Sequence, residues 1–134
     1  MSTLCYRQRG HWLVVGFNDD RLTDAAEIQA IQQNLFAQLQ RLPLRGQVVI
    51  SFEGVEHASS QVVGLLLGAK KIVDDRFGQL VLCRVGEHLR NILAITRLDS
   101  KFEIRERLRD VTGSASGGRE LAPVGGREEM QWIN

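Results

Sequence analysis

Hydrophobic positions fall into short blocks separated by polar punctuation, and their spacing switches between two periods. Cys5–Gln8 and His11–Phe17 read as two strands joined at Arg9-Gly10, with Trp12 and Val14 alternating against Leu13 and Val15 so that both faces of the second strand are covered. The pair predicts a hairpin at one edge of a sheet. A polar loop, Asn18-Asp19-Asp20-Arg21, follows, and then Thr23 or Asp24 with Glu27, an arrangement resembling a capping box. Ile28, Ile31, Leu35 and Leu39 recur at helical spacing with Gln29, Gln32, Gln33 and Gln40 largely on the other side, which predicts an amphipathic helix. It stops near Arg41-Leu42-Pro43, because proline cannot continue it.

Val48–Phe52 is a short β-rich segment, and Ser59-Ser60 open an apolar stretch too long to be another strand. That stretch predicts a helix reaching about Asp75. Phe77-Gly78 supplies the turn into a strand at Leu80–Cys83. Glu87–Ile95 carries Leu89, Ile92 and Leu93 at helical spacing, and Phe102-Glu103-Ile104 is a brief strand before the charged run Arg105–Asp110. Strands alternating with helices in this way imply an α/β fold with a mostly parallel sheet and right-handed crossovers. From Val111 onward the chain turns to Gly, Ser and Pro without an apolar period, so residues 1–110 are expected to form the domain and 111–134 a flexible tail. Met130-Gln131-Trp132-Ile133 is either a short docking motif within that tail or a set of loose apolar residues.

A chain of 134 residues with 43% hydrophobic and 25% charged residues can bury one respectable core, which argues for a single domain and against disorder throughout. Lys and Arg number 17 against 16 Asp and Glu, so no overall charge draws the chain to nucleic acid or to an anionic membrane. With neither a leader-like N-terminus nor a run of about 18 apolar residues, the expected location is cytoplasmic. Cys5 and Cys83 stand apart in strand-like segments without CxxC spacing; they read as small buried side chains rather than as metal ligands or a disulfide.

Several constellations bear on chemistry. A hydrolase would need His57, with Glu53 or Glu56, to activate Ser59 or Ser60, but a histidine on the same turn has no assured geometry toward the hydroxyl and no Gly-x-Ser-x-Gly elbow surrounds it. His11 and His88 are isolated. Asp19-Asp20 beside Arg21 suits a loop and helix-dipole partner better than a cation site, so no metal or cofactor is expected. Arg105, Arg107 and Arg109, interleaved with Glu106 and balanced by Asp110, read as a solvated charged face. The second helix is unusual: Val62, Val63, Leu65, Leu66, Leu67, Ala69, Ile72 and Val73 wrap beyond a single stripe, while Gln61, Gly64, Gly68 and Lys71 trace a face with little bulk. Two helical glycines, each costing roughly 1 kcal/mol against alanine, imply a close approach by the sheet, a neighbouring helix or a partner.

These residues resemble the STAS domain of sulfate transporters and anti-sigma-factor antagonists. The resemblance spans roughly Cys5 to Arg107. It is carried by Val48–Val55 in place of a strand of "LDFSGV" character, by Ala58-Ser59-Ser60-Gln61-Val62-Val63-Gly64 in place of "MDSSGLG", and by Thr96-Arg97-Leu98-Asp99-Ser100-Lys101-Phe102-Glu103-Ile104, similar to "TGLDKLFEI". It implies a mixed sheet of four or five strands flanked by about four helices, and a non-enzymatic protein that binds an anti-sigma factor or switch-protein serine kinase. Aligning Gly64 with the family glycine puts Ser60 at the phosphorylated position and leaves Ser59 as the alternative. The expected partner surface comprises Asn18, Asp19, Asp20, Arg21, His57, Ser59, Ser60, Gln61, Val63 and Gly64, and a weak homodimer is kept open. Ser59 and Ser51 stand where the family often has acids, so the pocket is less negative here. A non-switching scaffold and a small-ligand sensor are the competing readings.

Overall fold

The computed structural model describes residues 4–112 and 130–133, the latter as backbone. β1 (Leu4–Arg9) and β2 (Trp12–Phe17) form the expected antiparallel hairpin, and β2 continues into a parallel array with β4 (Gln47–Ser51), β6 (Gln79–Cys83) and β7 (Glu103–Arg105). Helices α1 (Ala25–Leu39), α2 (Gln61–Asp75) and α3 (Glu87–Ile95) make the crossovers. Short β3 (Arg21–Leu22) and β5 (His57–Ala58) pair with each other as a separate parallel ribbon.

Two sequence expectations change at the C-terminal end. The one-turn helix α4 (Arg109–Thr112) runs across the boundary expected after residue 110, and β8 (Met130–Ile133) pairs antiparallel with β1 from Leu4↔Ile133 to Arg7↔Met130. The segment read as tail thus adds a sixth strand, giving the order β7-β6-β4-β2-β1-β8. The hairpin is therefore not at the rim: β1 offered a row of unpaired backbone groups, and a strand covers them. The rest of the predicted tail, 113–129 and 134, lies outside the described residues.

The two faces of the sheet are covered differently. Leu4, Tyr6, Val15, Val48, Ile50, Leu80 and Leu82 point toward the long helices and meet Ile28, Ile31, Leu35 and Leu39 of α1, Val62, Leu66, Ala69 and Val73 of α2, and Leu89 and Leu93 of α3. Alternate residues Val14, Val49, Val81 and Cys83 face the other way, and among the described residues the partly buried Trp12, Leu108 and Val111 pack against them. Cys5 and Cys83 are both buried, on strands with β2 and β4 between them, so they cannot bridge; burial pushes both thiols up.

Helix ends follow local chemistry. Asp24 caps α1 by accepting the Glu27 amide at 3.0 Å, as the capping-box spacing requires. α2 and α3 both end in Schellman turns: Phe77 N–H to Asp74 O with Gly78 N–H to Val73 O, and Arg97 N–H to Ala94 O with Leu98 N–H to Leu93 O. The left-handed positions are occupied by Phe77 (φ 56°) and Arg97 (φ 61°), where glycine is the usual resident.

Tyr6, the one tyrosine of the chain, is buried beneath α1 and donates to Asn34 Oδ1 at 2.9 Å. Burial raises its phenol well above the ordinary value of about 10. A raised folded-state value means that the stabilising contribution is complete below the unfolded pKa and is lost as pH climbs past it. Absorbance at 295 nm should therefore stay flat through pH 10–11 and rise together with loss of far-UV circular dichroism; tyrosinate forming in a still-folded protein near pH 10 would contradict the burial.

Candidate functional site

The carboxyl end of the sheet gathers the predicted site. The Asn18–Arg21 loop and the turn before α2 are stitched by backbone bonds: Asp20 O accepts from Glu56 N at 2.8 Å and His57 N at 3.2 Å, and Leu22 O accepts from Ser59 N at 3.0 Å. Leu22 and Ala58 anchor this ribbon in the core. Two stretches far apart in sequence thereby become one surface.

At the start of α2 the two serines divide their labour. Ser59 Oγ accepts the Gln61 amide at 3.2 Å and is half-buried. Ser60 occupies the N-cap position in helical conformation (φ −64°, ψ −16°), makes no side-chain cap bond, and is exposed. Its side chain is exposed at the start of the helix, where the dipole favours negative charge. Ser59→Ala should accordingly cost about 0.5–1 kcal/mol in urea unfolding through loss of the cap, and Ser60→Ala should stay within about 0.5 kcal/mol of wild type. The reverse order would reassign the cap.

The remaining predicted residues are brought together with one exception. Asn18, Asp20, Arg21, His57, Gln61 and Gly64 are exposed and Asp19 is half-buried. Val63 is only 6% exposed and packs in the core, so it is removed from the partner surface; the apolar arc of α2 is wide, and Val62 and Val63 both turn inward. Outward instead come Gly64, Lys71 and Leu67, which is 38% exposed. The two helical glycines prove unlike. An added Cβ at Gly68 would run into the Phe36 ring of α1, which accounts for that glycine by helix packing. At Gly64 nothing lies within 4 Å, so the bare backbone there faces outward.

His88, isolated in sequence, is part of this region. Its Nδ1 accepts the Ala58 amide at 3.1 Å, and its ring meets the His57 ring edge-on at 5.7 Å between centroids. Nδ1 must therefore lack a hydrogen while that bond is made. Nothing local in the sequence signals this contact, which joins positions 30 residues apart. Among the described residues no hydrogen bond joins His57 to Ser59 or Ser60, so the imidazole is not placed as a base for either hydroxyl. Among the described residues no group of three or more His, Cys, Asp or Glu is placed to hold a metal ion.

The model of the STAS domain family matches residues 8–111. The chain belongs to the STAS family. No curated protein sequence matches it. Among solved structures, a STAS-domain anti-sigma-factor antagonist protein from Planctomyces limnophilus is similar with a TM-score of 0.73 at 20% identity, covering 81% of this chain and 94% of that one. An anti-sigma factor antagonist from Mycobacterium paratuberculosis has a TM-score of 0.70 at 21% identity, covering 82% and 90%. The unphosphorylated form of the anti-sigma factor antagonist SpoIIAA has a TM-score of 0.64 at 14% identity, covering 84% and 96%. At such identities the likeness is one of fold: a STAS-type mixed sheet flanked by helices. Among the described residues no helix is long and apolar enough to cross a membrane.

Proposed function

We propose that this STAS domain is a non-enzymatic regulatory module of the anti-sigma-factor antagonist kind, binding an anti-sigma factor or switch-protein serine kinase and switched by phosphate on Ser60. Asn18–Arg21, His57–Gln61 and the outward strip of α2 through Gly64 form the docking surface in this reading. The observation that carries it is the exposed Ser60 hydroxyl, unengaged at the N-terminus of a 15-residue helix. A phosphate there gains from the helix dipole, so the fold tolerates it. Its charge of about −1.5 to −2 also changes what a partner meets at the same spot. Docking is lost while the domain stays folded.

Ser60→Asp and Ser60→Ala, immobilised side by side and exposed to native lysate or to a purified anti-sigma kinase, provide the test. The alanine variant should hold its partner as wild type does, and the aspartate variant should lose about tenfold or more in recovery, equivalent to roughly 1.4 kcal/mol. Equal recovery by the two would remove the switch. One observation favours a second reading, a STAS scaffold without a switch: Ser51 is buried with its Oγ near the Glu53 amide, and Ser59 Oγ is used as a cap, so neither supplies the acidic character that the family often has beside its serine.

A further inference from the structure

We propose that His88 and His57 form an acid-sensitive latch on the ribbon that joins the Asn18–Arg21 loop to the turn before α2. The amides of His57 and Ser59 donate toward β3, to Asp20 O and Leu22 O, so the amide of Ala58 between them points the other way and cannot join the β3–β5 ladder. Its acceptor is His88 Nδ1 at 3.1 Å, reached from α3, and Ala58 itself is buried. One ring nitrogen thus ties the outer edge of a two-residue strand to a helix 30 positions further along.

An imidazole makes such a tie conditional on pH. Neutral, with its hydrogen on Nε2, the ring accepts at Nδ1; with both nitrogens protonated it carries two donors and cannot accept. The added proton sets one donor against another and leaves the backbone N–H of a buried residue without its acceptor. Both rings are exposed, so protons reach them without any opening of the fold. Histidine is also the side chain whose charge ordinarily changes between about pH 5 and 8. His57 adds to the effect, because its ring lies edge-on with centroids 5.7 Å apart, and two imidazoliums at that spacing repel.

Other charges surround the pair. Glu56 adjoins His57 in the turn, Arg21 stands opposite His57 in the β3–β5 register, and Glu87 and Arg90 lie near His88 on α3, with Arg90 directed to Glu106 at 3.8 Å. Next to Gly86 a hollow is lined by Glu53, Glu56, Arg84 and Glu106. Carboxylates favour the imidazolium and guanidiniums oppose it, so these groups bias proton uptake, while the bond itself depends on Nδ1. Once the bond is lost, the ribbon keeps its links to Asp20 and Leu22 but is released from α3, and the turn carrying Ser59 and Ser60 gains freedom. That this turn meets a partner rests on the reading proposed above; the latch does not.

Amide hydrogen exchange followed by NMR on the full 15N-labelled chain reads the latch directly, with each rate divided by its intrinsic value at the same pH. Protection of the Ala58 amide should fall about threefold to tenfold between about pH 8 and pH 5, in step with His88 imidazole nitrogen signals passing from the Nε2–H tautomer to the imidazolium. His88→Asn, whose Oδ1 takes the place of Nδ1 and does not titrate, should keep the amide protected across the range. His88→Phe, a ring without an acceptor, should leave it poorly protected throughout. The Leu35 amide in α1 reports global unfolding and should stay protected in every case. Ala58 protection that ignores pH in the wild type, falls equally in His88→Asn, or survives in His88→Phe would overturn the latch. Capture of a purified anti-sigma kinase at the two pH limits separates the two readings: an opened latch with equal capture by wild type and His88→Asn would sink the docking assignment and leave the latch standing.

Discussion

Phe52→Ala should lower the unfolding free energy by about 3–5 kcal/mol, the largest single loss expected in this domain. The ring is 1% exposed, stacks on Phe17 with centroids 5.1 Å apart, and sits just past β4, where its amide donates to Cys83 O at 3.0 Å. It also underlies Val55–Ala58 together with Gly86 and Leu89, so the cavity left behind opens directly beneath the serine-bearing turn. Against a typical total of about 5–15 kcal/mol, such a loss leaves little margin. Phe52→Leu, which retains most of the volume, should cost on the order of 1 kcal/mol and keep the turn in place. Urea unfolding by circular dichroism measures both; a loss below about 1 kcal/mol for the alanine variant would mean that the ring is not part of the core as described.

Gly78→Ala is the second large effect, about 2–4 kcal/mol of destabilisation, and it works through overlap rather than through a cavity. An added methyl would run into the carbonyl oxygen of Gly46 and come within 2.9 Å of Val73 Cγ1. The obstacle is backbone, which cannot rotate aside as a side chain does. Gly46 O is also the acceptor of the Gln79 amide at 3.0 Å, next to the first register pair between β4 and β6. Relief therefore means breaking that bond or displacing the end of α2. Gly64→Ala offers the opposite sign from the same chemical change: with nothing within 4 Å, it should stabilise by up to about 1 kcal/mol through helix propensity. Denaturation midpoints moving in opposite directions would establish the contrast, and a neutral Gly78→Ala would refute the close approach.

Much of this architecture is legible from local spacing. Ile28, Ile31, Leu35 and Leu39 are the buried residues of α1, Asp24 is its cap, and α3 spans the predicted Glu87–Ile95. Each depends on neighbours within a turn or two. What escapes is what distant segments create. β3 and β5 are two residues each and exist only because they meet, His88 matters through Ala58, and Met130–Ile133 becomes a strand because β1 has an edge to fill. Val63 was misplaced for a related reason: on a helix with a broad apolar arc, periodicity alone does not say where the buried side ends. The division between Ser59 and Ser60 turns on a single torsional choice at the helix start, finer than any pattern of polarity resolves.

The β3–β5 ribbon bears on the speed of recognition. In the proposed docking, backbone bonds that already hold the Asn18–Arg21 loop against the His57–Ser59 turn leave an incoming protein no search among loop conformers and little ordering entropy to overcome. Encounter is then governed by diffusion and mutual orientation, and differences in how long complexes persist fall on the dissociation step.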